Sequence, residues 1–90
     1  MASNQYRECN ATERDVLYTL RVGGAMTGRE IMQATERPEA TVSRALESLA
    51  EKGLVDRGES DMDGRTKVNR LTGEGWDVTT AAFDAYKEAL

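Results

Sequence analysis

The side chains best suited to specific chemistry in this 90-residue chain are its twelve basic ones, nine arginines and three lysines. The usual catalytic sets are missing, because there is no histidine and only one cysteine, Cys9. A zinc site, a histidine-dependent triad and an internal disulfide have no residues to build them. The sixteen carboxylates are not spaced like an oxygen-ligand loop, so no metal or other cofactor is expected, and no enzymatic activity. What remains is recognition, with guanidinium groups that can pair with phosphate or with the O6/N7 edge of guanine.

Two groups of residues suit that role. The first is Arg37, Pro38, Glu39, Ala40, Thr41, Ser43 and Arg44, polar or small positions set around the apolar Val42 and Ala45. Arg44 is the strongest candidate for a base or phosphate contact. Thr41 and Ser43 can donate to phosphate, and Thr41 can touch a thymine methyl. Arg37 can reach a phosphate or cap a turn. The second group is Arg65 and Lys67, flanked by Arg57 and Arg70, which make residues 57–70 net basic in a chain of net charge −4. The acids Glu59, Asp61 and Asp63 share that stretch and can pair with it instead. Arg29 is a further candidate for a backbone contact or a surface ion pair.

The elements that must carry these residues follow from periodicity. Residues 1–11 show none and are expected as a loose arm, with Tyr6 able to pack. Thr12 offers a helix cap, and Val16, Leu17 and Leu20 mark one face of a helix over about 12–22, ended by Gly23-Gly24. Met26 suggests a very short extended piece. Thr27-Gly-Arg-Glu30 has the form of a capping box for a two-turn helix to Thr35, with Ile31, Met32 and Ala34 turned inward. Glu36 and Arg37 break it, and Pro38 suits the first turn of the next helix. There Val42, Ala45, Leu46 and Leu49 repeat at helical spacing until Gly53. Leu54–Glu59 and Thr66–Leu71 read as strands around a polar turn over Ser60–Gly64. Thr72 caps a last helix, along which Trp76, Thr79, Phe83, Tyr86 and Leu90 form a heptad-like stripe.

Two short helices joined by a tight turn make a helix-turn-helix, and a hairpin after the second makes it winged. The expected fold is therefore mainly α with a small β-hairpin: a winged helix-turn-helix over 12–71 and a C-terminal dimerisation helix over 72–90. A major groove about 12 Å wide admits one helix, which assigns Pro38 to Arg44 to double-stranded DNA. The aromatic stripe is too long for so small a core to cover and implies a homodimer, hence a palindromic operator.

The segment Thr41-Val-Ser-Arg44-Ala-Leu-Glu-Ser-Leu-Ala-Glu-Lys-Gly-Leu-Val-Asp-Arg57 resembles the recognition helix and first wing strand of winged-helix regulators of the multiple-antibiotic-resistance (MarR) type. Asp63-Gly-Arg65-Thr resembles their wing tip, and Leu71-Thr-Gly-Glu-Gly75 the start of the helix that follows. The resemblance covers about residues 12–80 and implies a DNA-binding transcription regulator, here read as a repressor. Small repressor-like proteins of haloarchaea and their viruses share this compact form, and the acidic, lysine-poor composition fits a halophilic origin. Three departures stand out. The chain is shorter than typical members and leaves little room for their effector pocket, Arg37 stands where the family places an apolar residue, and the wing tip has one arginine where many have two.

No apolar stretch approaches a membrane span and no secretory leader precedes the first helix, so a cytoplasmic protein without a membrane partner is expected. Two other functions fit the same residues. One is a winged-helix protein-interaction module whose acidic surface excludes DNA. The other is a ligand- or redox-responsive switch using Cys9, although Arg7 beside it is balanced by Glu8 and an inert thiol is the plainer reading.

Overall fold

The computed structural model describes residues 2–59 and 67–89, with side chains described over 5–58 and 67–84. In chain order the elements are α1 (Ala2–Glu8), α2 (Ala11–Gly23), β1 (Met26–Thr27), α3 (Gly28–Thr35), α4 (Glu39–Glu51), β2 (Val55–Glu59), β3 (Lys67–Leu71) and α5 (Gly73–Ala89). Helices predominate over one small antiparallel sheet, the winged-helix class expected.

The apolar spacing that predicted the helices also supplies the core. Val16, Leu17 and Leu20 of α2, Ile31 of α3 and Val42, Ala45, Leu46 and Leu49 of α4 are buried together with Leu54, Val55 and Val78. Each buried leucine contributes about 1.5–3 kcal/mol relative to an exposed one, so this cluster sets where α4 can lie. Ala34, expected to point inward, is exposed. A two-turn helix has only a narrow inner stripe, and Ile31 with the half-buried Met32 fills it.

The helix ends explain the angles between elements. The cap of α2 is Asn10 rather than Thr12: its Oδ1 accepts the Glu13 N–H at 2.8 Å, and Glu13 Oε1 accepts the Asn10 N–H at 2.9 Å. That reciprocal box satisfies two otherwise unpaired donors and starts the helix before Thr12, which lies within its first turn. The box foreseen at α3 forms, with Thr27 and Glu30 bonded at 3.1 and 2.9 Å. Helix α3 stops at Glu36, whose backbone is left-handed (φ 54°), and Pro38 precedes α4 as its cap residue, one place before its expected position.

The sheet holds one strand more than the hairpin read from the sequence. Its order is β1-β3-β2, all antiparallel, with Met26 opposite Asn69 and Thr27 opposite Val68. The short extended piece suggested by Met26 is this strand, and its pairing with β3 makes it part of the sheet. Residues 1–11 differ from the loose arm expected: Ala2–Glu8 is helical, α1 packs against α5 and Cys9 is buried, while Tyr6 packs as foreseen. Arg14 Nε donates to the Tyr6 carbonyl at 3.1 Å and ties α1 to α2.

Helix α5 starts against the end of α4. Thr72 Oγ1 donates to the Gly53 carbonyl at 2.7 Å and accepts the Gly75 N–H at 3.0 Å. A Cβ at Gly75 would stand 2.1 Å from the Leu54 carbonyl oxygen, so this close approach requires glycine. No helix among the described residues is long and apolar enough to cross a membrane.

Candidate nucleic-acid interface

Helix α4 is held by its apolar face, and its opposite ridge follows from the same periodicity. Ala40, Ser43, Arg44 and Glu47 are exposed, as are Pro38 and Glu39 at the helix start, and Thr41 is half-buried. The N-terminal half of this ridge is small, hydroxylic and basic. The C-terminal half carries Glu47 and Glu51, so only the first two turns suit a polyanion.

A recess lies on each flank of that ridge. One, of about 370 Å³, runs between α3, α4 and β2 and is lined by Arg29, Glu39, Ser43 and Arg57 over a floor that includes Met32 and Leu46. The other, of about 380 Å³, lies between α4 and the start of α2 and is lined by Asn10, Thr12, Thr41, Arg44 and Ser48. Guanidinium groups therefore stand on both sides of a protruding helix. A duplex presents the same arrangement in reverse, with a phosphate rail on either side of its major groove.

Two polar clusters set the pose of α4. Glu13, 3% exposed, accepts from the Ser48 hydroxyl at 2.8 Å and from Lys52 Nζ at 2.9 Å with its second oxygen, while its first holds the Asn10 N–H. Burial pushes this carboxyl up, but the Asn10 N–H, Lys52 and Ser48 outweigh it and hold the group below the usual carboxylate range. The bond to Glu13 raises Lys52 against its own desolvation. In the second cluster Arg37 Nε donates to Asp15 at 3.0 Å and Nη1 to the Thr12 hydroxyl at 3.0 Å. Arg37, read from the sequence as a phosphate contact or a turn cap, is thus engaged within the chain, pinning the helix-turn-helix turn to α2.

The remaining candidates are placed unevenly. Lys67 is exposed on β3, and Arg65 lies outside the described residues. In the stripe on α5, Trp76 is 50% exposed and Phe83 half-buried, whereas Thr79 is fully buried within its own chain and offers no surface to a partner. The side chain of Tyr86, and Leu90 altogether, lie outside the described residues. The buried line of α5 runs through Gly75, Val78 and Thr79, rotated from the aromatic one. Arg21, not singled out from the sequence, stacks 3.6 Å from the Trp76 ring centre and donates to Thr79 and Thr80 at 2.8 and 2.6 Å. Glu13 reads in the sequence as negative charge at a helix start, but its pairing with Ser48 and Lys52 was not foreseen, although Asn10-x-x-Glu13 is a capping signature.

Among the described residues no group of three or more His, Cys, Asp or Glu could hold a metal ion. Burial pushes the Cys9 thiol up, with Lys52 acting the other way, and its Sγ donates to the Gln5 carbonyl at 3.2 Å. A protonated, covered thiol is a poor nucleophile, which argues against the redox switch.

Comparison with known proteins agrees with this geometry. The sequence profile of the MarR family matches residues 10–66. Among solved structures, a MarR family regulator from Neisseria meningitidis superposes with TM-score 0.76 at 29% identity, over 91% of this chain and 58% of its own. The hsRosR–S4 complex superposes with TM-score 0.86 at 25% identity, over 99% and 80%. BpsR of Bordetella bronchiseptica, whose DNA binding is regulated by 6-hydroxynicotinic acid, superposes with TM-score 0.81 at 24% identity, over 91% and 62%. The chain thus spans about three-fifths of the length of the first and third of these relatives. No curated protein matches the sequence.

Proposed function

The chain belongs to the MarR family, and from that premise we propose that it is a sequence-specific, double-stranded-DNA-binding transcription regulator that acts as a repressor. The observation that carries the reading is the exposed start of α4 between two basic flanks, Arg44 on one and Arg29 with Arg57 on the other. Ala40, Thr41 and Ser43 face the base edges, Arg44 meets a base edge or a phosphate, Pro38 and Glu39 lie at the helix entry, and Arg65 and Lys67 grip the backbone or minor groove. The protein works by binding, in the cytoplasm, without catalysis.

Two copies bind together. The half-buried Phe83 of α5 meets Tyr18 of α2 edge-on, their ring centres 5.8 Å apart, and with Trp76 of α5 and Tyr18 and Val22 of α2 50%, 55% and 68% exposed these apolar side chains suit a second copy. Tyr86 and Leu90 extend the same stripe in the sequence. Such a dimer sets its two recognition helices about one DNA turn, ~34 Å, apart and calls for an inverted-repeat operator.

Sequencing of genomic DNA captured by the purified protein at moderate and molar KCl tests this. Enrichment of a few inverted repeats supports a specific dimeric regulator, and survival in molar salt supports the halophilic origin. A folded protein that enriches no DNA at either salt instead favours the protein-interaction module.

A further inference from the structure

We propose that Asn69 is a positioning residue that aims Arg57 at the DNA backbone, so that strand β2 supplies the phosphate contact on one flank of α4 while Arg44 serves the other. The proposal rests on the DNA-binding reading and assigns one part of its contact surface.

The sequence offers Arg57, Lys67 and Arg70 as equivalent basic residues of the wing strands; the strand register separates them. Directly opposed residues of an antiparallel pair share a face of the sheet. Val55 with Leu71 and Arg57 with Asn69 form one face, while Asp56 with Arg70 and Gly58 with Val68 form the other. Val55 and Asn69 are buried, which identifies the first face as the one laid on the helices. Arg57 therefore reaches the recess beside Ser43 of α4. Arg70 is exposed on the opposite face, across from Asp56.

Asn69 fixes what Arg57 does there. It is 1% exposed, in a strand position whose neighbours on the same face would accept an apolar side chain. A buried amide is costly unless both its ends are bonded. Its Nδ2 donates to the Met26 carbonyl at 3.2 Å, which settles the orientation of the amide and turns Oδ1 toward Arg57. Arg57 Nε donates to that oxygen at 3.3 Å. Holding a planar guanidinium at Nε fixes the plane of its fork, and a fork so placed suits a tetrahedral oxyanion. Arg29 enters the same recess from the start of α3, and Glu39 is the acid on its wall. Among the described residues two guanidinium groups stand against one carboxylate in the recess, a net basic balance that suits a phosphate.

Fluorescence anisotropy with a short mixed-sequence duplex over a KCl series tests the assignment through the slope of log Kd against log [KCl]. Each phosphate contact contributes about 0.9 to that slope. Arg57→Ala is expected to lower the slope by about that amount and Arg70→Ala to leave it unchanged. Asn69→Ala should weaken binding in the same direction but less, and the double variant should match Arg57→Ala alone, because Asn69 acts through Arg57. The Arg57 Nε–H resonance should be protected from exchange in the wild type and in Arg70→Ala, and lose that protection in Asn69→Ala. Arg57→Lys keeps the charge without the fork and leaves the Asn69–Met26 bond untouched, so its intermediate slope is decisive even if Asn69→Ala folds poorly. An unchanged slope in Arg57→Ala, with Arg44→Ala lowered, overturns the proposal and leaves the DNA-binding reading standing. Additive losses in the double variant overturn the role of Asn69. A wild-type protein that binds no duplex at any salt overturns both.

Discussion

Replacing the buried Glu13 by alanine should be strongly destabilising although it lies outside the apolar cluster. The carboxylate is 3% exposed and accepts three hydrogen bonds, from the Asn10 N–H, the Ser48 hydroxyl and Lys52 Nζ. Losing the cap box costs about 0.5–2 kcal/mol. A hydrogen bond to a charged acceptor is worth about 1.5–3 kcal/mol, but the two on the second oxygen do not add fully, and both donors can turn to water. The side chain of Lys52 is 32% exposed, so its ion pair counts only for about 0–1 kcal/mol. A total of about 2–4 kcal/mol follows, or a fall in melting temperature of at least about 8 °C for a domain of this size. The pH dependence gives a second, independent reading. The carboxyl of Glu13 sits below the usual range when folded, so its stabilisation is present above the unfolded value, about 4.3, and is lost as pH falls through the folded one. Lys52 is raised, so its share persists below the ordinary lysine value, about 10.4, and is lost as pH rises through the folded one. Urea melts of the wild type and Glu13→Gln should therefore differ by a constant amount between about pH 5.5 and 9, with the gap closing in acid. A gap below about 0.5 kcal/mol, or one that widens on acidification, would refute the role assigned to this network.

Four further outcomes are expected. Arg44→Ala should weaken binding to the captured operator by about 5- to 150-fold, the equivalent of about 1–3 kcal/mol of base discrimination, as read by anisotropy. Arg37→Met should cost at most about 1 kcal/mol in a urea melt and leave the salt slope of DNA binding unchanged, since its partners are Asp15 and Thr12; a lower slope would return Arg37 to the DNA contacts. Gly75→Ala should lose about 3 kcal/mol or more, because its Cβ would fall 2.1 Å from the Leu54 carbonyl oxygen; a thermal melt within a few degrees of wild type would contradict that packing. Trp76→Glu should shift the mass seen by light scattering from dimer to monomer while the circular dichroism spectrum is retained, and an unchanged dimer would place the interface elsewhere.

What the sequence made legible was whatever repeats. Val42, Ala45, Leu46 and Leu49 announced both α4 and its buried side, and by complement the ridge at Ala40, Ser43 and Arg44. The box at Thr27 and Glu30 was equally plain, because its chemistry lies within four residues. Features made by distant partners were not. Met26 hinted at an extended piece, but not at its pairing with β3, and α1 has too few residues for a periodic face, yet it packs on α5. The stripe on α5 was half right for the same reason: the repeat is there, but the line that enters the core is set by where α2 and β3 meet the helix, and it takes Val78 and Thr79. Arginine roles were least legible. Arg37, Arg57 and Arg70 have the same side chain, and only the acids, amide and register around them tell a turn clamp from a recess wall or an exposed surface position.

Helix α2 shows how charged side chains outside the candidate interface set the pose of the elements that carry it. Along one helix, Glu13 holds Ser48 and Lys52 of α4, Asp15 holds Arg37 of the turn, and Arg21 holds Trp76, Thr79 and Thr80 of α5. The apolar face sets which side of α4 turns inward. Hydrogen bonds at both ends of α4, to Glu13 near its C-terminus and through Arg37 before its start, fix its remaining rotation. The same helix carries Arg21 against α5, so α4 and α5 are registered on one element. In the dimer proposed above, that shared frame would convert a fixed α5 contact into a fixed spacing of recognition helices, about 34 Å.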